Sequence, residues 1–137
     1  MKTKVKKFSH TYWHARLDKK LGIWLRETNK ECAVCHKQFD LEVSHILPKG
    51  RYQGLRYDPM NFLALCGGCH RWFWHDNPLQ AGKWFETTYP ERKVYLDEAK
   101  KIIVKRDLEY YKKVEKALDE RNILDLLVLK LPLDKQK

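Results

Sequence analysis

Four cysteines in two pairs, with histidines placed between and after them, carry the chemistry available to this sequence. Cys32 and Cys35 form one Cys-x2-Cys pair and Cys66 and Cys69 a second, with residues 36–65 between them. Two intervening residues let both thiolates of a pair reach one ion while N–H groups in the turn support the sulfurs. Four thiolates complete a tetrahedral Zn²⁺ site and leave no position for water, so such a site is structural and not catalytic. An iron–sulfur centre, or four incidental thiols, would use the same residues. Two pairs as the only cysteines of the chain favour zinc. A thiol oxidoreductase built on Cys32 and Cys35 would leave the neighbouring polar residues unexplained.

Those neighbours are His45 in "SHI", Asn61 before the second pair, and His70 directly after Cys69. "LEVSHI" and "NFLAL" read as short strands, and a helix is expected from the second Cys pair. Zinc would hold the first strand beside that helix, so the imidazoles of His45 and His70 would face one cleft. One imidazole could then deprotonate water while the other holds a divalent cation against a phosphate. Between the strands lies the basic loop "LPKGRYQGLRYDPM", with Lys49, Arg51 and Arg56 as candidate DNA phosphate contacts and Gly50 and Gly54 allowing close approach. A solvated basic loop is the plainer alternative.

The remaining elements must position this centre. Ser9 is a plausible N-cap, and Trp13, Leu17, Leu21, Trp24 and Leu25 recur at helical spacing up to about Asn29. Asn77-Pro78 reads as a stop followed by a new helix to about residue 88, and Pro90 opens another reaching Val104. Asp107 caps a further helix with Leu108, Tyr111, Val114 and Leu118 on its buried side. "ILDLLVLKLPL" is apolar enough to dock on the domain as helix or strand. Trp72, Phe73, Trp74 and Trp84 read as core, and His10, His14 and His36 as structural.

Cys-x2-Cys, Ser-His-Ile, Asn and Leu-Cys-x2-Cys-His, in that order, resemble the HNH endonucleases with a ββα-metal (His-Me finger) site. "LRYDPMN" and "LCGGCHRWFWHDNP" are similar to the zinc-knuckle type found in bacteriophages, including the NinG-like recombination proteins. The likeness covers about residues 32–78. It implies that His45 is the general base, that Asn61 pins the loop and helps orient His45, and that His70 binds the catalytic cation. The cation would be Mg²⁺ or Mn²⁺, with Ni²⁺ or Zn²⁺ as alternatives. Family members often carry Asp or His just before the base as a second ligand, and here that residue is Ser44, a poor ligand. His75 is a candidate replacement, although five residues from His70 it is offset from the same face of an ordinary α-helix. Asp58 and Asp76 are weaker candidates.

The expected fold class is therefore α+β: a small zinc-stapled ββα-metal module flanked by an N-terminal helix and C-terminal helices. Its expected parts are a basic arm and helix over 1–31, the nuclease module over 32–78, and a helical extension over 79–137 packed on the same domain. The 137 residues carry 28 basic and 18 acidic side chains, a net +10, which favours a polyanionic partner. DNA is the expected partner, with no small-molecule substrate, and the Lys-rich arm at residues 2–7 adds sequence-independent affinity. No apolar run approaches the roughly 18 residues of a membrane span, and "MKTKVKKFSH" lacks the apolar core of a signal peptide. A cytoplasmic protein is expected, in the host cytoplasm if phage-encoded. Monomer and dimer both remain open. The reading is a metal-dependent DNA endonuclease; a zinc-ribbon nucleic-acid-binding protein without catalysis is the alternative.

Overall fold

A computed structural model describes residues 7–129, excluding the side chain of Val128; most of the Lys-rich arm and the end of the C-terminal apolar segment lie outside it. Helix α1 spans His10–Thr28. The Ser9 hydroxyl caps it, accepting the Tyr12 N–H at 3.3 Å, and the Asn29 N–H closes its last turn on the Leu25 carbonyl. Leu17, Leu21, Trp24 and Leu25 form its buried stripe, as their spacing predicts.

Strands β1 (Leu41–His45) and β2 (Phe62–Cys66) pair antiparallel, with Leu41 opposite Cys66 and His45 opposite Phe62. This register sets the second Cys pair beside the start of β1 and His45 beside the start of β2. A seven-residue helix, Cys69–His75, follows, wound in wide π-type turns. Its signature is the bond from the Asp76 N–H to the carbonyl of Arg71, five residues earlier.

Helices α2 (Pro78–Thr88), α3 (Pro90–Ala99), α4 (Leu108–Asp119) and α5 (Ile123–Val128) complete the described chain. Helix α4 packs parallel to α1, and ion pairs Arg16–Glu115 and Lys20–Asp119 run along the seam. Buried residues from α1, both strands, α2, α3, α4 and α5 belong to one hydrophobic cluster. No helix among the described residues is long and apolar enough to cross a membrane.

Two helix expectations need correction. Helix α3 ends at Ala99 and not at Val104. The Lys101 and Ile102 N–H groups turn back to Glu98 and Ala99, tightening the last turn before the β-branched run Ile102-Ile103-Val104. Val104 instead packs against the loop at Gly54, where an added Cβ would meet Val104 Cγ2 at 2.9 Å. In α4, Leu108 is exposed, and the buried face runs through Tyr110, Tyr111, Val114, Ala117 and Leu118. The apolar C-terminal stretch forms helix over its first six residues and buries Leu126.

Candidate functional site

The four thiols converge as the pair spacing requires. Their sulfurs all lie within 4.8 Å of one another, with Cys35 Sγ 3.6 Å from Cys66 Sγ. Zn–S bonds of about 2.3 Å in a tetrahedron place sulfurs about 3.8 Å apart, so the group fits a Zn²⁺-sized ion. The first knuckle is shaped by the bonds Cys32 N–H to Lys37 O and His36 N–H to Cys32 O, and is laid on β2 by Ala33 N–H to Ala64 O. His36 takes φ +65° to close that turn. In the second knuckle the Cys69 N–H points at Cys66 Sγ at 3.4 Å. At Gly67 an added Cβ would meet the Asp40 carboxylate at 2.8 Å, so a larger residue would displace that side chain. Burial works against ionising the Cys32 thiol, but bonds from the Cys35, Cys66 and Val34 backbone outweigh it and bring the pKa to about 7.

A cleft of about 710 Å³, to which none of the four cysteines contributes, has a wall that includes His45, Lys49, His70, Trp74 and His75. Helices α2 and α3 supply the far side through Phe85 and Leu96. His45 closes β1, and its Nε2 lies 2.8 Å from the Arg56 carbonyl oxygen. A carbonyl only accepts, so Nε2 carries the proton and Nδ1 keeps its lone pair. The His45 pKa is lowered, first by burial and further by the Lys49 and Arg56 cations, against the opposing pull of the Arg56 carbonyl and Asp18. At neutral pH this imidazole is a free base. The Trp74 indole N–H donates to the His45 carbonyl at 3.1 Å and ties the strand end to the π-type helix.

Across the cleft, His70 donates Nδ1–H to Glu42 Oε2 at 2.7 Å, which leaves Nε2 open. A carboxylate behind one ring nitrogen is the arrangement that orients metal-binding histidines. The His75 ring lies 4.7 Å from that of His70, centroid to centroid. The α-helical expectation put His75 off this face. Bonds between residues five apart bring it back.

Asn61 is wholly buried. Its side-chain oxygen accepts the Leu47 N–H at 2.8 Å, and its NH₂ donates to the Leu47 and Leu55 carbonyls, both at 3.1 Å. It therefore fastens both ends of the loop that carries the Arg56 carbonyl. Replacing Asn61 by Ala removes the three hydrogen bonds of a fully buried side chain and should lower stability by about 2–4 kcal/mol. A thermal melt coincident with the wild type would contradict this clamp.

Ser44 is fully buried, is not part of the cleft wall, and its hydroxyl makes no hydrogen bond. Asp58 is buried as the cap of the Pro59–Asn61 turn and accepts the Tyr95 hydroxyl at 2.6 Å, while Asp76 is exposed; neither lines the cleft. Arg56 departs most from expectation. It is 9% exposed, and its guanidinium grips Asp18 through two bonds, so it is spent inside the fold and not offered to a phosphate. Burial alone would raise the Asp18 pKa, but Arg56 and Tyr57 outweigh it and take it below the usual carboxylate value. Lys49 and Arg51 are exposed.

Trp72, read as core, is 66% exposed, whereas Trp74 is half-buried in the cleft wall. His10 and His14 both reach the Tyr111 hydroxyl, at 2.7 and 3.2 Å, and so fasten α4 to α1. Glu42 and Asp18 were not found from the sequence. The signal for Glu42 was an acid between Leu41 and Val43, the two apolar residues of the strand that ends in His45. No family model, curated protein or solved structure matches the chain.

Proposed function

We propose that this chain is a metal-dependent DNA endonuclease of the HNH, ββα-metal type, of the bacteriophage zinc-knuckle kind, hydrolysing phosphodiester bonds. One observation carries the proposal. His45 and His70, from the first strand and from the helix after the second Cys pair, line the same cleft, each with one ring nitrogen tied to an oxygen and the other open.

His45 Nδ1 takes the proton of the attacking water, and the Arg56 carbonyl then stabilises the imidazolium through Nε2–H. Asn61 keeps that carbonyl in place by clamping the loop, and Asp18 holds the Arg56 side chain. His70 Nε2 would hold a divalent cation, with His75 beside it and Glu42 orienting the ring. When bound, the cation neutralises charge on the phosphate and on the leaving 3′-oxygen. Lys49, exposed at the cleft wall, attracts the same phosphate. The products carry 5′-phosphate ends. The thiolates of Cys32, Cys35, Cys66 and Cys69 would hold a structural Zn²⁺, apart from the reacting groups.

The alternative is a zinc-ribbon protein that binds nucleic acid without cutting it, and Ser44 favours it by supplying no ligand where the HNH family often has one. Supercoiled plasmid incubated with Mg²⁺, Mn²⁺ or Ni²⁺ distinguishes the two. Relaxation that EDTA suppresses is expected. Retarded DNA that no cation converts to nicked or linear form would select the binding protein.

A further inference from the structure

Beside the cleft lies a second hollow of about 290 Å³, walled by Arg51, Lys100 and Arg106 together with Tyr52 and Gln53. No carboxylate lines it. We infer that this hollow is a phosphate subsite for the DNA backbone, holding a non-scissile phosphate of the strand whose scissile phosphate lies in the His45–His70 cleft. The inference rests on the nuclease proposal and adds Lys100 and Arg106, from the segment after α3, to the surface that grips the substrate.

Three features make the hollow a built site. First, its two walls are locked together. The loop bears on the 100–107 segment at Gly54, where Val104 leaves no room for a Cβ. Second, its arginines are available. Among the described residues neither Arg51 nor Arg106 is in an ion pair. Arg51 lies over the Tyr52 ring, 5.5 Å from its centroid, and Arg106 donates to the Tyr111 hydroxyl at 3.4 Å, so each is steered without being neutralised. A guanidinium so placed offers a phosphate two donors. Lys100 is shared with Asp97 at 3.5 Å, and Asp97 lines the cleft, not the hollow.

Third, the hollow continues from the cleft. Lys100 belongs to both walls, and the loop gives Pro48, Lys49 and Gly50 to the cleft and Arg51 to Leu55 to the hollow. A strand laid across this loop would meet Lys49 first and Arg51 next. The hollow has room for a phosphate with several waters, each occupying about 30 Å³.

The test uses full-length, zinc-loaded protein in a His45→Ala background, which prevents cutting, with short DNA duplexes of unrelated sequence and anisotropy read over a salt series. Arg51→Ala should reduce the slope of log K against log salt by about 0.9, and Arg51→Ala with Arg106→Gln by nearly twice that, alike for every duplex. Arg51 is exposed, so the single variant remains decisive even if loss of the Arg106–Tyr111 bond disturbs folding. Unchanged slopes with binding retained would overturn the subsite and leave the nuclease proposal standing. A parent protein that binds no duplex at any salt would overturn both.

Discussion

Replacing His45 by Ala should lower the cleavage rate by about 10²–10⁴ while zinc content, DNA affinity and cooperative melting stay near wild type. The effect is large because His45 has the lowered pKa and the open Nδ1 that a base working at neutral pH needs. It is confined to chemistry because His45 is no zinc ligand, and losing its bond to the Arg56 carbonyl costs only about 1 kcal/mol. The pH profile of the wild type carries the same signature. Only neutral His45 accepts a proton, and burial with the Lys49 and Arg56 cations depresses its pKa, so the acid limb should fall below the ordinary 6.5. Folding shifts the same way. Below 6.5 the unfolded chain gains a proton that folded His45 resists, so stability declines as pH falls, and acid-limb rates need melts at the same pH. His70→Ala should also lose activity, but part should return at high Mn²⁺. If His45→Ala unfolds the protein or releases zinc, its role is structural.

Cys66→Ser should unfold the segment over residues 32–75 and abolish stoichiometric zinc. Cys66 is the last residue of β2, it faces Leu41 across the ribbon, and its sulfur receives the Cys69 N–H. Removing its thiol opens the four-sulfur cluster that ties the two knuckles to each other. Structural zinc supplies about 10–16 kcal/mol in small modules, comparable with the entire 5–15 kcal/mol stability of a typical domain. The α1–α4 pair retains its own stripe and ion pairs, so far-ultraviolet helicity should fall only in part. Elemental analysis finding well-folded wild type without zinc would contradict the assignment.

The sequence made some of this legible for identifiable reasons. Ser9 and Asp107 are side chains that accept backbone N–H groups at helix starts, so α1 and α4 begin where the residue types predict. The Cys spacing carries its geometry with it. Other features depend on tertiary context. Arg56 looks like its exposed neighbour Arg51 until Asp18, thirty-eight positions earlier, takes its guanidinium. His75 joins His70 only because the helix after Cys69 widens to five-residue turns, which a 3.6-residue period does not anticipate. Ile102 to Val104 continue an apolar pattern, but Ile103 is exposed and Val104 serves the contact with Gly54, not a longer helix.

The proposed hydrolysis needs a cation site and a base in one cleft, and a crystal soaked in Mn²⁺ with anomalous scattering measured at the manganese edge tests this most directly. The predicted result is a manganese peak in the cleft, within coordination distance of His70 Nε2, with His45 Nδ1 facing the same space and the Cys32, Cys35, Cys66 and Cys69 cluster still holding zinc. Manganese found only on surface carboxylates, with none beside His70, would contradict the account.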